Sequence, residues 1–105
     1  SSVRFENSIE WKILSPQMGG FYRSPSPETP ALVEEGSVIN LRTPLCLLES
    51  MKVFNEISLN SFKTLDGKSL YPEDQQFRIT RVLAEDQQTV NQGDLLFVME
   101  SITPN

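Results

Sequence analysis

Leu45-Cys46-Leu47-Leu48-Glu49-Ser50 and Leu96-Phe97-Val98-Met99-Glu100-Ser101 are one pattern written twice: four apolar residues, a glutamate, a serine. The second lies 51 positions after the first, and the same displacement sets Leu32 on Leu83, Glu35 on Asp86 and Ile39 on Val90 without a gap from Leu32 to Lys52. Apolar residues fall on apolar ones and acids on acids, which composition alone does not produce. The reading is two copies of one β unit packed about a pseudo-two-fold axis. Each copy alone could bury only one face of its strands, so each completes the other's core.

Outward from the repeat, the chain is a series of short strands divided by turn signals. Strand candidates are residues 11–14, 21–23, 45–48, 54–59, 77–83 and 95–99. In the fifth, alternation places Phe77, Ile79 and Arg81 on one side and Arg78, Thr80 and Val82 on the other. No window has helical periodicity. The pattern predicts an all-β barrel or sandwich. Residues 1–10 read as a loosely attached extension before a single domain over 11–105. Residues 60–76, polar and carrying Asp66-Gly67 and Pro72, read as a surface loop with a small hairpin of its own, whose shortening would leave the fold intact. Ser24-Pro25-Ser26-Pro27-Glu28-Thr29-Pro30 contains three prolines, which remove three backbone donors and fix three φ angles. Such a segment is a stiff loop projecting from the domain.

The two copies differ where Lys52 falls opposite Thr103. In the first, the chain continues through Glu49-Ser50-Met51-Lys52-Val53-Phe54 into a further strand; in the second it runs out at Asn105. The first copy therefore ends in a tight strand-to-strand turn. Such tips usually carry Gly, Asn or Asp, and this one carries Met51 and Lys52. Lys12 also has apolar neighbours, so it is position in the repeat that singles out Lys52.

Composition closes several routes. The sequence contains no histidine and one cysteine, which excludes a cysteine–histidine dyad and a structural zinc site. No nucleophile–base set is present, so a catalyst is not expected. The formal charge is −5 with no basic run, which argues against nucleic-acid binding. No apolar stretch approaches a membrane span. Cys46 lies in an apolar run and reads as a small buried hydrophobe. A lone reduced cysteine fits a reducing compartment.

Glu49-Ser50-Met51-Lys52 resembles the biotin acceptor motif, usually Glu-Ala-Met-Lys. Ser15-Pro16-Gln17-Met18-Gly19-Gly20-Phe21-Tyr22-Arg23-Ser24-Pro25-Ser26-Pro27 resembles the N-terminal block of the biotin carboxyl carriers of acetyl-CoA carboxylase, a group of the biotinyl/lipoyl domain family with a Pro-rich "thumb" beside the biotin hairpin. The resemblance runs from about Trp11 to Ser101, interrupted by 60–76. It implies a flattened β-barrel of two four-stranded antiparallel sheets, with biotin attached covalently to Lys52 by a biotin protein ligase. Glu49, Ser50, Met51 and Val53 would frame the acceptor, Met51 aiding the ligase. The thumb, residues 24–31, would bring Ser24, Pro25, Ser26, Pro27, Glu28, Thr29 and Pro30 near biotin. The chain would be a non-catalytic swinging-arm carrier of carboxybiotin between biotin carboxylase and carboxyltransferase in fatty acid synthesis, in the cytoplasm in preference to the plastid stroma.

Several positions depart from that pattern. Ser50 replaces alanine and Val53 a common methionine, both keeping the tip compact. Arg42 stands where glycine is usual, while the second copy keeps Gly93; if that glycine has φ > 0, Arg42 is strained or its turn is rebuilt. The 60–76 insertion displaces a further turn glycine. These changes favour the alternative of an unmodified, carrier-like regulatory or interaction protein; the retained Met51-Lys52 opposes it. A lipoyl acceptor would more often show Asp-Lys at the tip and no thumb.

Overall fold

A computed structural model describes residues 9–102. Eight strands form two four-stranded antiparallel sheets: β1 Glu10–Leu14, β2 Gly19–Tyr22, β3 Val38–Ile39, β4 Cys46–Ser50, β5 Val53–Ile57, β6 Gln76–Val82, β7 Thr89–Val90 and β8 Leu95–Ile102. The sheet orders are β1-β8-β6-β3 and β5-β4-β2-β7. Exchanging β1 with β5, β2 with β6, β3 with β7 and β4 with β8 turns one order into the other, which is the two-fold repeat read from the sequence. The two-residue strands β3 and β7 stand 51 positions apart, as do β4 and the matching part of β8.

The inner faces meet in one core. Phe21, Ile39, Leu48, Phe77, Ile79, Val90, Phe97 and Met99 are buried in it. Four-residue turns repeat as well. In Glu34–Ser37 the Ser37 amide donates to the Glu34 carbonyl and the Glu34 amide to Ser37 Oγ; Glu85–Gln88 does the same through Gln88 Oε1. The third residue of each is left-handed, Gly36 at φ 95° and Gln87 at φ 68°.

Gly19 and Gly20 open β2. A Cβ on Gly19 would lie 2.6 Å from the Glu49 carbonyl oxygen, so β2 and β4 approach each other only because that position has no side chain.

Four expectations need correction. Glu10 is not in a detached extension: it begins β1 and pairs with Glu100, while residues 1–8 lie outside the described part, as does Thr103. Arg81 does not share a face with Phe77 and Ile79. The β6–β8 register shifts between Ile79 and Arg81, leaving Thr80 as the extra residue, so Arg81 is exposed and Val82 packs against the core. Residues 54–59 are not all strand: β5 ends at Ile57 and Leu59–Ser61 form a 3-10 turn that buries Leu59.

Finally, 60–76 is more than a surface loop. It does carry a hairpin, with Lys63 bridged to Ser69 and Gly67 at φ 84°. However, Phe62 and Tyr71 pack against the core, and Tyr71 lies 5.5 Å from Trp11 and 5.9 Å from Phe77 between ring centroids. Leu65, fully exposed at the hairpin tip, and the exposed Leu70 behave as the polar composition suggests.

Candidate functional site: the β4–β5 tip and the proline loop

β4 and β5 pair from Cys46–Ile57 to Ser50–Val53, leaving Met51 and Lys52 as a two-residue turn. Both have positive φ, 52° and 66°, as in the type I′ turn that matches strand twist. Neither residue favours that region, and such a conformation costs of order 1 kcal/mol or more per residue. The register on both sides enforces it. The tip stands clear of the core: Met51 is 93% exposed, Val53 57%, and Lys52 is exposed. Among the described residues no ion pair involves Lys52.

Glu49 and Ser50 are the last residues of β4. Pairing sets Glu49 beside Gly20 on one side and Phe54 on the other. Its repeat counterpart, Glu100, receives Arg78 Nη1 at 3.3 Å on Oε2, whereas Glu49 has no ion pair among the described residues. Thus, among the described residues, no ion pair braces the tip of the first copy.

The proline loop is internally braced. Ser24 Oγ donates to the Ser26 carbonyl at 2.7 Å, and the Thr29 amide and hydroxyl both donate to that carbonyl. Ser26 Oγ donates to Glu28 Oε1 and accepts the Glu28 amide. The loop closes where the Leu32 amide donates to the Arg23 carbonyl at 2.8 Å.

A small recess of about 90 Å³ joins loop and hairpin. Ser24, Pro25, Ser26 and Pro27 line it together with Phe54, Tyr22, Asp86 and Gln87. Of the anticipated loop residues, Glu28, Thr29 and Pro30 do not line it. Tyr22, Phe54, Asp86 and Gln87 escaped the sequence reading. Tyr22 had a usable signal, since it follows the buried Phe21 and must point outward; Phe54, between exposed Val53 and Asn55, had none. Asp86 and Gln87 had none, because only folding brings the second copy's turn to the loop.

The recess is largely apolar, as a biotin-type ring would require, and one of its lining residues, Phe54, belongs to the hairpin that carries the exposed Lys52. Among the described residues, no cluster of His, Cys, Asp and Glu could hold a metal ion, and no helix is long and apolar enough to cross a membrane.

Residues 12–61 match the family described as biotin-requiring enzyme, the biotinyl and lipoyl domains. The chain is 49% identical over 45 residues to the biotin carboxyl carrier protein of acetyl-CoA carboxylase of Chlamydia muridarum, covering 43% of this chain and 28% of that protein. It is 34% identical over 86 residues to the chloroplastic protein of the same description in Glycine max, covering 82% and 28%. The chain therefore spans just over a quarter of the length of these relatives. A solved single-chain, multi-domain long-chain acyl-CoA carboxylase shares the fold, with TM-score 0.58 and 21% identity over 86% of this chain and 7% of that one. The chain belongs to the biotinyl/lipoyl domain family and, over most of its length, resembles the biotin carboxyl carrier proteins of acetyl-CoA carboxylase.

Proposed function

We propose that this chain is a biotin carrier domain in which Lys52 takes biotin through an amide bond and carries a carboxyl group from a biotin carboxylase to a carboxyltransferase, as part of acetyl-CoA carboxylation in fatty acid synthesis. The supporting observation is Lys52 at the second central position of an exposed two-residue turn, inside the segment that matches biotin-requiring enzymes. Relatives named as biotin carboxyl carrier proteins of acetyl-CoA carboxylase support acetyl-CoA as the substrate.

The chain's own residues supply presentation, not chemistry. A biotin protein ligase activates the biotin carboxyl group with ATP and removes the proton from the Lys52 amine. The amine then forms the C–N bond as the C–O bond to the activating group breaks, and the proton passes to the ligase and solvent. Amide formation takes one positive charge from a chain already at −5. The β4–β5 register fixes the tip before any partner arrives, which lowers the entropy lost on recognition. Tethering raises the local concentration of the ring at each partner's active site. Bound biotin supplies a ring nitrogen that accepts and gives up a carboxyl group; Tyr22, Phe54 and the proline loop would shelter that ring between visits.

Intact mass after incubation with biotin, ATP and a biotin protein ligase tests the reading. One added biotin, abolished in Lys52→Arg, is expected. Labelling that persists in Lys52→Arg at Lys12, Lys63 or Lys68 refutes the assignment, and absence of labelling favours an unmodified, carrier-like interaction protein.

A further inference from the structure

Arg23 sits where the proline loop leaves β2, and three hydrogen bonds converge on it. Its amide donates to Asp86 Oδ1 at 2.8 Å, its carbonyl accepts the Leu32 amide at 2.8 Å, and its Nη2 donates to the Val33 carbonyl at 2.7 Å. The first bond ties the loop's entry to the second copy's turn. The other two tie its entry to its exit, where Val33 is buried. The turn bearing Asp86 is itself pinned to β2, with the Gln87 amide donating to the Phe21 carbonyl at 2.6 Å and the Phe21 amide to the Gln88 carbonyl at 2.8 Å. Asp86 is therefore a fixed post and not a passing side chain.

The cleft beside Arg23 is acidic. Arg23 lines a cleft with Glu34, Glu35, Glu85 and Asp86. These acids are two repeat-related pairs, each 51 positions apart. The duplication delivers carboxylates from both copies to one cleft, while the Arg23 guanidinium is engaged by the Val33 carbonyl.

We propose that Arg23 and Asp86 form a lock that sets the angle of the proline loop over the Tyr22–Phe54 pair, so that the second repeat positions a loop belonging to the first. Both are positioning residues: neither needs to touch a ligand, and Asp86 acts through the backbone of Arg23. The inference rests on the proposed carrier function only in giving the loop a ring to face; the lock itself belongs to the unmodified chain.

Amide hydrogen exchange on the unmodified chain tests it, and the result is independent of whether Lys52 accepts biotin. In Asp86→Ala the Leu32 amide and the non-proline amides of 24–31 should exchange about tenfold faster or more, the loss expected for a bond to a charged acceptor, while those of β4 and β8 keep their protection. Asp86→Asn, which retains the Oδ1 acceptor, should restore most of the protection, and Arg23→Met should reproduce the loss. Unchanged exchange at Leu32 in Asp86→Ala overturns the proposal. So does faster exchange spread evenly over β4 and β8, or a failure of Asp86→Asn to restore protection.

Discussion

Tyr22 on β2 and Phe54 on β5 meet edge to face across the intervening strand β4, with ring centroids 5.3 Å apart and planes at 61°. Their side chains lie on the outer face of the second sheet, because Phe21 and Leu48 take the inner one. An aromatic pair of this kind, Phe54 exposed and Tyr22 half-buried, adds about 0.5–1.5 kcal/mol beyond its area. Phe54→Ala should lower the unfolding free energy by about that amount, read by thermal or urea denaturation, and leave ligase labelling of Lys52 intact. Loss of labelling in the folded variant would mean that Phe54 holds the tip rather than the recess.

Two turn positions should answer oppositely to glycine. Gln87 has φ 68°, so Gln87→Gly removes a left-handed side-chain penalty and should raise stability by up to about 1 kcal/mol. Arg42 stands opposite Gly93, whose φ is 89°, but is itself absent from the left-handed region. Its turn keeps the second copy's outline, the Asn40 amide donating to Thr43 Oγ1 as the Asn91 amide does to Asp94 Oδ2, but is rebuilt at Arg42, whose amide donates to Asn40 Oδ1 at 2.8 Å. Arg42→Gly should therefore lower stability by a few tenths to about 1 kcal/mol. Equal gains from both variants would show that the rebuilt turn is strained after all.

This contrast marks what could be read without coordinates. Repetition fixed the architecture, because residues 51 positions apart with matched polarity must occupy matched places in a two-fold core. The tip was legible for the same reason: Lys52 is where the copies diverge. Arg42 was seen as a departure, but its outcome depended on whether Asn40 and Thr43 side chains would cap the turn, which spacing does not decide. Thr80 as a bulge left no mark in the alternation of Phe77 to Val82. Tyr71 was hidden because its polar neighbours resemble a loop, while the partners that bury it, Trp11 and Phe77, are distant in sequence.

The insertion should therefore divide into a structural part and a free part. Tyr71 contacts Trp11, Phe62 and Phe77, and Tyr71→Ala should cost about 2–4 kcal/mol, somewhat below a fully buried aromatic. Leu65 is fully exposed, and Leu65→Ser should stay within about 0.5 kcal/mol of the parent. Urea midpoints of the two variants settle the division; similar values would return the whole segment to the status of a surface loop.

Cys46 is buried in β4, and desolvation raises its thiol from 9.0 to about 12. The unfolded chain thus releases that proton above about pH 9 while the folded chain retains it until about pH 12. Stability from this group is complete below pH 9 and is lost as pH rises towards 12. Cys46→Ala should leave a cavity and lower stability at neutral pH, yet flatten the decline between pH 9 and pH 11. An unchanged alkaline slope would locate the decline elsewhere, with Tyr71, also raised by burial, the next group to test.

Replacing Ser24 to Pro30 by a short Gly-containing turn separates the loop's two roles. Its internal hydrogen bonds run mainly among Ser24, Ser26, Glu28 and Thr29, and no large apolar side chain lies between Ser24 and Pro30. The barrel should therefore stay folded, its melting temperature should fall by only a few degrees, equivalent to about 1 kcal/mol, and Lys52 should still accept biotin. The recess, however, loses Ser24, Pro25, Ser26 and Pro27 together, keeping only Tyr22, Phe54, Asp86 and Gln87. A tethered ring would then spend its time in water instead of against a preformed wall. The deficit should appear as a several-fold slower carboxyl transfer per biotinylated molecule, or as labelling of lysines other than Lys52. Thermal stability and transfer rate measured on one preparation decide between these roles. A heavy fall in stability with an unchanged rate per folded molecule would make the loop a brace for the barrel and leave the shelter of the ring to Tyr22 and Phe54.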